Sequence, residues 1–275
     1  MPATNLVTKA KVFAQIGFDA QKCDINCGFC SFAKDSFYGA SQIKSLDDTL
    51  TEVKNVIESG IEELFLMTTA NYSQEQFLEY GATVRVIMPK DMPFVANVGD
   101  FDLAYAKRLK KIGFTGVYHI CRLGEGTNTA STEAARIRTL DAVKDEGLAL
   151  YYRVEPIGPE HTAQQLVTEM LRAREYPVGV MAVMKRIAVP GTPLAEKGEI
   201  SCTMLAKICA VATLTVRPQK AIGVHEPDEL CLMAGANQIY AECGSNPRDL
   251  AFETKNGRGF SVADAIAILR KAEGE

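Results

Sequence analysis

Short apolar runs and amphipathic stretches of helical spacing take turns from residue 12 to residue 271, and nothing interrupts the rhythm. The pattern predicts strands over Val12–Phe18, Leu64–Met67, Phe94–Val98, Gly116–Cys121, Leu148–Val154, Gly179–Met184, Ala221–Val224 and Gln238–Ala241. It predicts helices over Ser45–Glu58, Gln74–Ile87, Leu103–Lys111, Glu133–Glu146, Ala163–Glu175, Thr203–Val216, Glu229–Ala234 and Val262–Lys271. Strands that alternate strictly with helices form a parallel sheet covered by helices. Eight such units close into a (β/α)8 TIM-type barrel, complete or nearly so, and 275 residues suit one. A doubly wound open sheet is the competing arrangement. No low-complexity stretch or Pro/Ser-rich linker divides the chain, so one domain over residues 1–275 is expected.

Composition narrows the class of function. Hydrophobic content of 47% with 23% charged residues describes an ordinary soluble globular chain. A net charge of −4 and the lack of any Lys/Arg block argue against a nucleic-acid partner. Met1–Leu6 carries no apolar signal core, and no stretch reaches membrane-spanning length, so a cytoplasmic protein without a membrane partner is expected. In that reducing setting the eight cysteines are expected to bind metal or remain free.

Three of those cysteines, Cys23, Cys27 and Cys30, follow the first predicted strand, three and then two residues apart. One loop of that spacing can wrap a single inorganic centre. Structural zinc usually takes four ligands, but the next cysteine is Cys121 and no histidine follows closely. A [4Fe–4S] cluster held by three thiolates leaves one iron open to a small molecule. Barrel active sites lie at the C-terminal ends of the strands. Thr68, Thr69, Asn97, the run Cys121–Glu125, and Arg153 with Glu155 all fall at such places. His119 is placed near the mouth, His161 at a helix start and His225 beside the seventh strand, too scattered to serve as general bases.

The C-x3-C-x2-C spacing, with aromatic Phe29 before the last cysteine, resembles the radical S-adenosylmethionine (SAM) superfamily. The resemblance implies that Cys23, Cys27 and Cys30 hold the [4Fe–4S] cluster. SAM would chelate the open iron, and reduction would release a 5′-deoxyadenosyl radical that abstracts hydrogen from an unactivated C–H bond. It also implies a flavodoxin- or ferredoxin-type electron donor and leaves room for a homodimer.

Further stretches resemble a biotin-synthase-like group that includes the hydrogenase maturases and methylornithine synthase. They are Phe65–Asn71, Val189–Leu194, Cys231–Asn237 and Arg136–Gly147. The resemblance covers residues from about 20 to 245, and the C-terminal segment from about 220 to 275 is expected to complete such a barrel. It implies that Phe29, Thr68, Thr69, Glu125, Arg136 and Ile187 contact SAM, with Arg136 pairing its carboxylate. Each has a plainer reading: Arg136 as a solvated helix residue, the threonines as strand-end hydroxyls, and Arg122–Glu125 as a surface pair. Arg153 and Glu155 could bind a charged substrate group or satisfy each other.

Biotin synthases hold a second cluster in the barrel on three cysteines and an arginine. The matching positions here are Leu66, Ala96, Tyr152 and Lys220, none of them a thiol or an arginine. Cys121 is the first candidate ligand for a different auxiliary cluster. Cys202 with Cys209, and Cys231 with Cys243, are read more simply as core cysteines. The expected function is sulfur insertion into dethiobiotin, with Cys121, Arg122 and Arg153 as catalytic candidates. A radical mutase or lyase on an amino-acid-like substrate, without auxiliary cluster, is the alternative. A barrel with structural zinc is the reading from another class.

Overall fold

The computed structural model describes residues 10–37, 40–224, 229–241 and 261–273. Cys243 and His225 lie outside the described residues. Eight parallel strands close into a barrel in the order β1-β10-β9-β8-β7-β6-β5-β4. They are β1 (Lys11–Gly17), β4 (Glu63–Met67), β5 (Phe94–Asn97), β6 (Gly116–Tyr118), β7 (Ala149–Ile157), β8 (Val178–Lys185), β9 (Ala221–Val224) and β10 (Gln238–Ala241). A two-residue antiparallel pair, β2 (Asp19–Ala20) with β3 (Gln42–Ile43), brackets the cysteine loop and was not predicted.

The helices are α1 (Leu46–Glu58), α2 (Gln74–Ile87), α3 (Leu103–Ile112), α4 (Glu133–Glu146), α5 (Ala163–Ala173), α6 (Cys202–Val216), α7 (Glu229–Met233) and α8 (Val262–Glu273). Local signals set their ends. Ser45, Ser73, Asp102, Thr132, Thr162 and Ser201 each cap a helix by accepting a backbone N–H. Gly113 and Gly147 end α3 and α4 at φ 112° and 67°, a backbone region that side chains with a Cβ avoid.

Two apolar layers fix the barrel. Outside it, the rings of Phe94 and Phe114 stack at 3.9 Å, and Phe77 of α2 lies 5.5 Å from Phe114. Inside, Phe13 and Phe65 sit 4.4 Å apart, and Tyr151 meets Phe65 edge-on at 5.1 Å. Below these rings Gln238 Nε2 donates to Glu63 Oε2 at 2.8 Å, and burial raises the Glu63 pKa despite nearby Lys11. The lower lumen is therefore filled, with a void of only about 10 Å³ between the rings.

Two strand predictions need correction. The run Gly116–Cys121 leaves the sheet after Tyr118 and turns outward, whereas β7 continues past Val154 to Ile157 across a bulge against β8. Strand alternation also reassigns a face. Phe65, Met67 and Arg153 point inward, so Leu66 and Tyr152 point to the helices; Ala96 shares the outward face of Phe94. Tyr152 confirms its own direction, since its hydroxyl donates to Glu169 of α5. Leu66, Ala96 and Tyr152, matched to the second cluster, are thus not lumen positions; Lys220, the fourth, reaches within 5.9 Å of the inward Tyr151 ring, and the true inward residues of β4, β5 and β7 are not thiols either.

Candidate active site

The chain between β2 and β3 faces a cavity of about 200 Å³ at the C-terminal end of the barrel. Cys23, Cys27, Phe29 and Cys30 line it together. The loop is knitted internally and gripped by its neighbours. Asn26 takes a left-handed turn at φ 49°, which Asn tolerates, and its amide donates to Asp35 at 2.7 Å. Asp24 N donates to Asn71 Oδ1 at 2.8 Å, tying the loop to the end of β4. Ala130 N donates to Ile25 O at 2.7 Å, and Gly28 N to Asn128 O at 2.8 Å. Leu194 N donates to Gly28 O at 2.8 Å, so the turn after β8 packs on the cysteines.

Among the described residues, no trio of His, Cys, Asp or Glu side chains already converges tightly enough to hold a metal ion. The three thiols instead share one wall of the cavity. As a donor set they fit a cluster. Burial pushes the Cys27 thiol up to about 12, with the Arg122 guanidinium opposing that rise. A bound metal replaces the thiol proton. Phe32 N donates to Cys30 Sγ at 3.4 Å, the kind of hydrogen bond that tunes an iron–sulfur centre.

Of the other residues singled out from sequence, Thr68, Thr69, Arg122, Arg136 and Arg153 line the same cavity, with Asn97 and Glu155. Thr69 is fixed by Asp19, which accepts from its backbone N at 2.8 Å and from its hydroxyl. Arg136 is no surface residue: it is 3% exposed and anchored through two of its nitrogens. Its Nε donates to Glu125 Oε2 at 3.1 Å and its Nη1 to Asp100 Oδ1 at 3.0 Å. Burial alone would raise Asp100, but His119, Arg136 and Ser131 together hold it well below the usual carboxylate range. Burial lowers the pKa of His119, whose Nε2 lies 3.2 Å from Asp100.

Three expected residues stand apart from the cavity. Glu125 turns away and is occupied by Arg136 Nε, the Arg122 backbone N and the Thr129 hydroxyl. Ile187 is half-buried beyond the end of β8 and does not line the cavity. Cys121 faces the outside of the barrel, in a separate groove with Gln164, Thr168, Glu169 and Arg172. Burial pushes its thiol up to about 12. The remaining described cysteines also do not line the cavity: Cys209 and Cys231 are core residues of α6 and α7, and Cys202 is half-buried at the start of α6.

Sequence reasoning missed Asp19, Asp100 and the anchoring role of His119. Asp19 did carry a signal, as a lone acid in the apolar run Phe18-Asp19-Ala20 just before the cysteine loop. Asp100 bonds Arg136 across 36 residues, a pairing that no local pattern encodes.

No protein-family profile matches the chain. The biotin synthase of Paracidovorax citrulli (strain AAC00-1) is 25% identical over 235 residues, covering 79% of this chain. This chain spans 66% of that enzyme, just under two thirds of its length. The biotin synthase of Bordetella avium (strain 197N) is 24% identical over 249 residues, covering 85% of this chain and 77% of the enzyme. Among solved structures, the crystal structure of methylornithine synthase superposes with a TM-score of 0.75 at 17% identity. That match covers 95% of this chain and 86% of the other, and it shows a shared fold.

Proposed function

We propose that this chain, a biotin-synthase-like radical SAM protein, cleaves SAM reductively at the cysteine loop and directs the resulting radical at a small molecule held in the cavity. The observation that carries the reading is the shared wall of Cys23, Cys27 and Cys30 at the C-terminal mouth of a barrel whose floor is closed. When bound there, a [4Fe–4S] cluster would supply the electron that splits the sulfonium C–S bond of SAM.

The chain's own residues have definable tasks. Arg122, beside Cys27, offsets negative charge on the thiolates. Thr68, with Thr69 steadied by Asp19, offers strand-end polar groups to the methionyl part of SAM. Arg136 is held rigid by Glu125 and Asp100 and offers its guanidinium to the SAM carboxylate. Glu125 acts through Arg136 rather than by touching SAM. The filled floor keeps water from entering from below, which a reactive radical requires.

The geometry favours hydrogen abstraction without an auxiliary cluster, as in a radical mutase or lyase. The lower lumen has about 10 Å³ free, and Cys121 opens to another groove. Sulfur insertion into dethiobiotin is the second reading, supported by the similarity to biotin synthases. A flavodoxin- or ferredoxin-type protein would deliver the electron in either case. The test is incubation of anaerobically reconstituted protein with SAM and dithionite, with and without dethiobiotin. Formation of 5′-deoxyadenosine is expected; an iron-loaded protein that leaves SAM intact overturns the proposal. Biotin formation would select the second reading. A colourless protein that takes up zinc in place of iron would select the structural-zinc barrel.

A further inference from the structure

Two arginines in the cavity lack the partners that buried guanidinium groups require. Arg122 Nε and Nη1 and Arg153 Nε are buried and donate to no atom among the described residues. The carboxylate nearest to both is Glu155, with Arg122 Nε 3.7 Å from Oε1 and Arg153 Nη1 3.7 Å from Oε2. That is beyond hydrogen-bond length. Other acids are committed elsewhere: Glu125 to Arg136 and Thr129, and Asp19 to Thr69 and Gln21. Arg122 Nη1 also lies 4.0 Å from Glu125 Oε2, and Arg153 Nη1 donates to the Met184 sulfur at 3.9 Å, so the ion pairs of both guanidinium groups are all longer than hydrogen bonds.

Buried donors left unpaired are costly, so several of them in one cavity point to an acceptor that arrives with a ligand. Arg153 is also well aimed. Its Cζ lies 5.0 Å from the Tyr118 ring centroid, and it lines both the cavity and the small void among the aromatic rings below. It therefore marks the boundary between the open and filled parts of the lumen.

We propose that Arg153, with Arg122 beside it, receives a carboxylate of the substrate, which makes the substrate a small organic acid. This deepens the proposed function and rests on it. A carboxylate accepts from two guanidinium groups at once, in the geometry such pairs favour. Anchored at Arg153, the acid's aliphatic part would rise past Met67 and Asn97 toward the cysteine loop, presenting C–H bonds to the radical.

Thermal unfolding of the full-length, cluster-loaded protein with hexanoate, or with neutral hexanamide, tests the site. Hexanoate should raise the unfolding temperature, and hexanamide should not. The rise should persist at saturating SAM. Arg153→Gln should weaken hexanoate binding about tenfold to a hundredfold, and Arg153→Lys by less. Equal response to acid and amide, or an unchanged response in Arg153→Gln, overturns the proposal. So does loss of the response when SAM is added, since the arginines would then belong to SAM. SAM cleavage, assayed on the same preparation, reports separately on the parent reading. Hexanoate binding without cleavage sinks the radical reaction but keeps the acid site; cleavage without hexanoate binding does the reverse.

Discussion

At the floor of the barrel Phe13, Phe65 and Tyr151 meet ring to ring around about 10 Å³ of empty space, whereas at its mouth cysteines and arginines line about 200 Å³. The same strands build both levels. β4 contributes Phe65 below and Met67 above, and β7 contributes Tyr151 below and Arg153 above. Apolar rings stabilise by burial and need no ligand. Guanidinium groups and thiols in the same lumen cost stability until something binds them. The difference divides labour along the strands: stability is concentrated below, and binding capacity above.

Exchange of one residue at each level should give opposite phenotypes. Cys27→Ala removes one of the three proposed cluster ligands and should abolish both iron retention and 5′-deoxyadenosine formation, as read by iron analysis and product chromatography. The cluster-free barrel should lose little stability, because Cys27 contributes a single buried thiol at the mouth. SAM cleavage at the wild-type rate by this variant would remove the cysteine loop from the chemistry.

Phe65→Ala should do the reverse. It empties the centre of the aromatic floor, and large-to-small changes at such sites cost about 3–5 kcal/mol. Denaturant unfolding should report that loss, while the folded fraction keeps its iron. A cost below about 1 kcal/mol would mean that the floor is loosely packed and that the contrast between levels is overstated.

The rim offers a gentler probe. Arg186 follows β8, is 1% exposed, and is held by Glu160 and by Gly198 O at 2.8 Å. The hydrogen bonds from Arg186 hold the Glu160 carboxyl down at about 2, against the usual 4.5. A carboxyl depressed on folding adds stability that is complete above about pH 4.5 and is lost as pH falls toward about 2. Glu160 is partly open to water, which screens the pair, so Glu160→Gln should cost only about 1–2 kcal/mol near neutrality. The variant's unfolding temperature should vary less than wild type's between pH 5 and pH 2.5. An identical acid profile would show that the rim pair contributes nothing.

Much of the scaffold was legible in the residues because the signals are local. The ranges Gln74–Ile87 and Glu133–Glu146 agree with the structure to the residue, and Ser73, Thr132 and Gly147 are the local signals at their ends. The cysteine loop was legible by spacing alone. Strand faces were not. A parallel strand buried on both sides has no polar alternation, so Phe65-Leu66-Met67 gives no sign of which ring or chain enters the lumen. That blindness put Leu66, Ala96 and Tyr152 at the lumen when they face the helices. The end of β6 was hidden for a related reason: the buried run Tyr118-His119-Ile120-Cys121 continues after pairing with β7 has stopped. The anchoring of Arg136 by Asp100 is purely tertiary.

The smallest expected effect bears most directly on the comparison. If the filled floor leaves no place for a second cluster, iron after reconstitution should stop at four per chain, the content of one [4Fe–4S] cluster. Cys121→Ala should leave that figure unchanged. Its thiol opens to the groove along α5, beside the Tyr152 hydroxyl that donates to Glu169. Burial holds it protonated at neutral pH, with a pKa pushed up to about 12, and Glu169 nearby disfavours the thiolate further. Burial raises Cys27 as far, so what sets Cys121 apart is its place: it faces away from the lumen, and no other cysteine among the described residues lines its groove. Iron and sulfide above four per chain in the wild type, falling to four in Cys121→Ala, would place a second cluster outside the lumen. It would also restore sulfur insertion as the leading reaction.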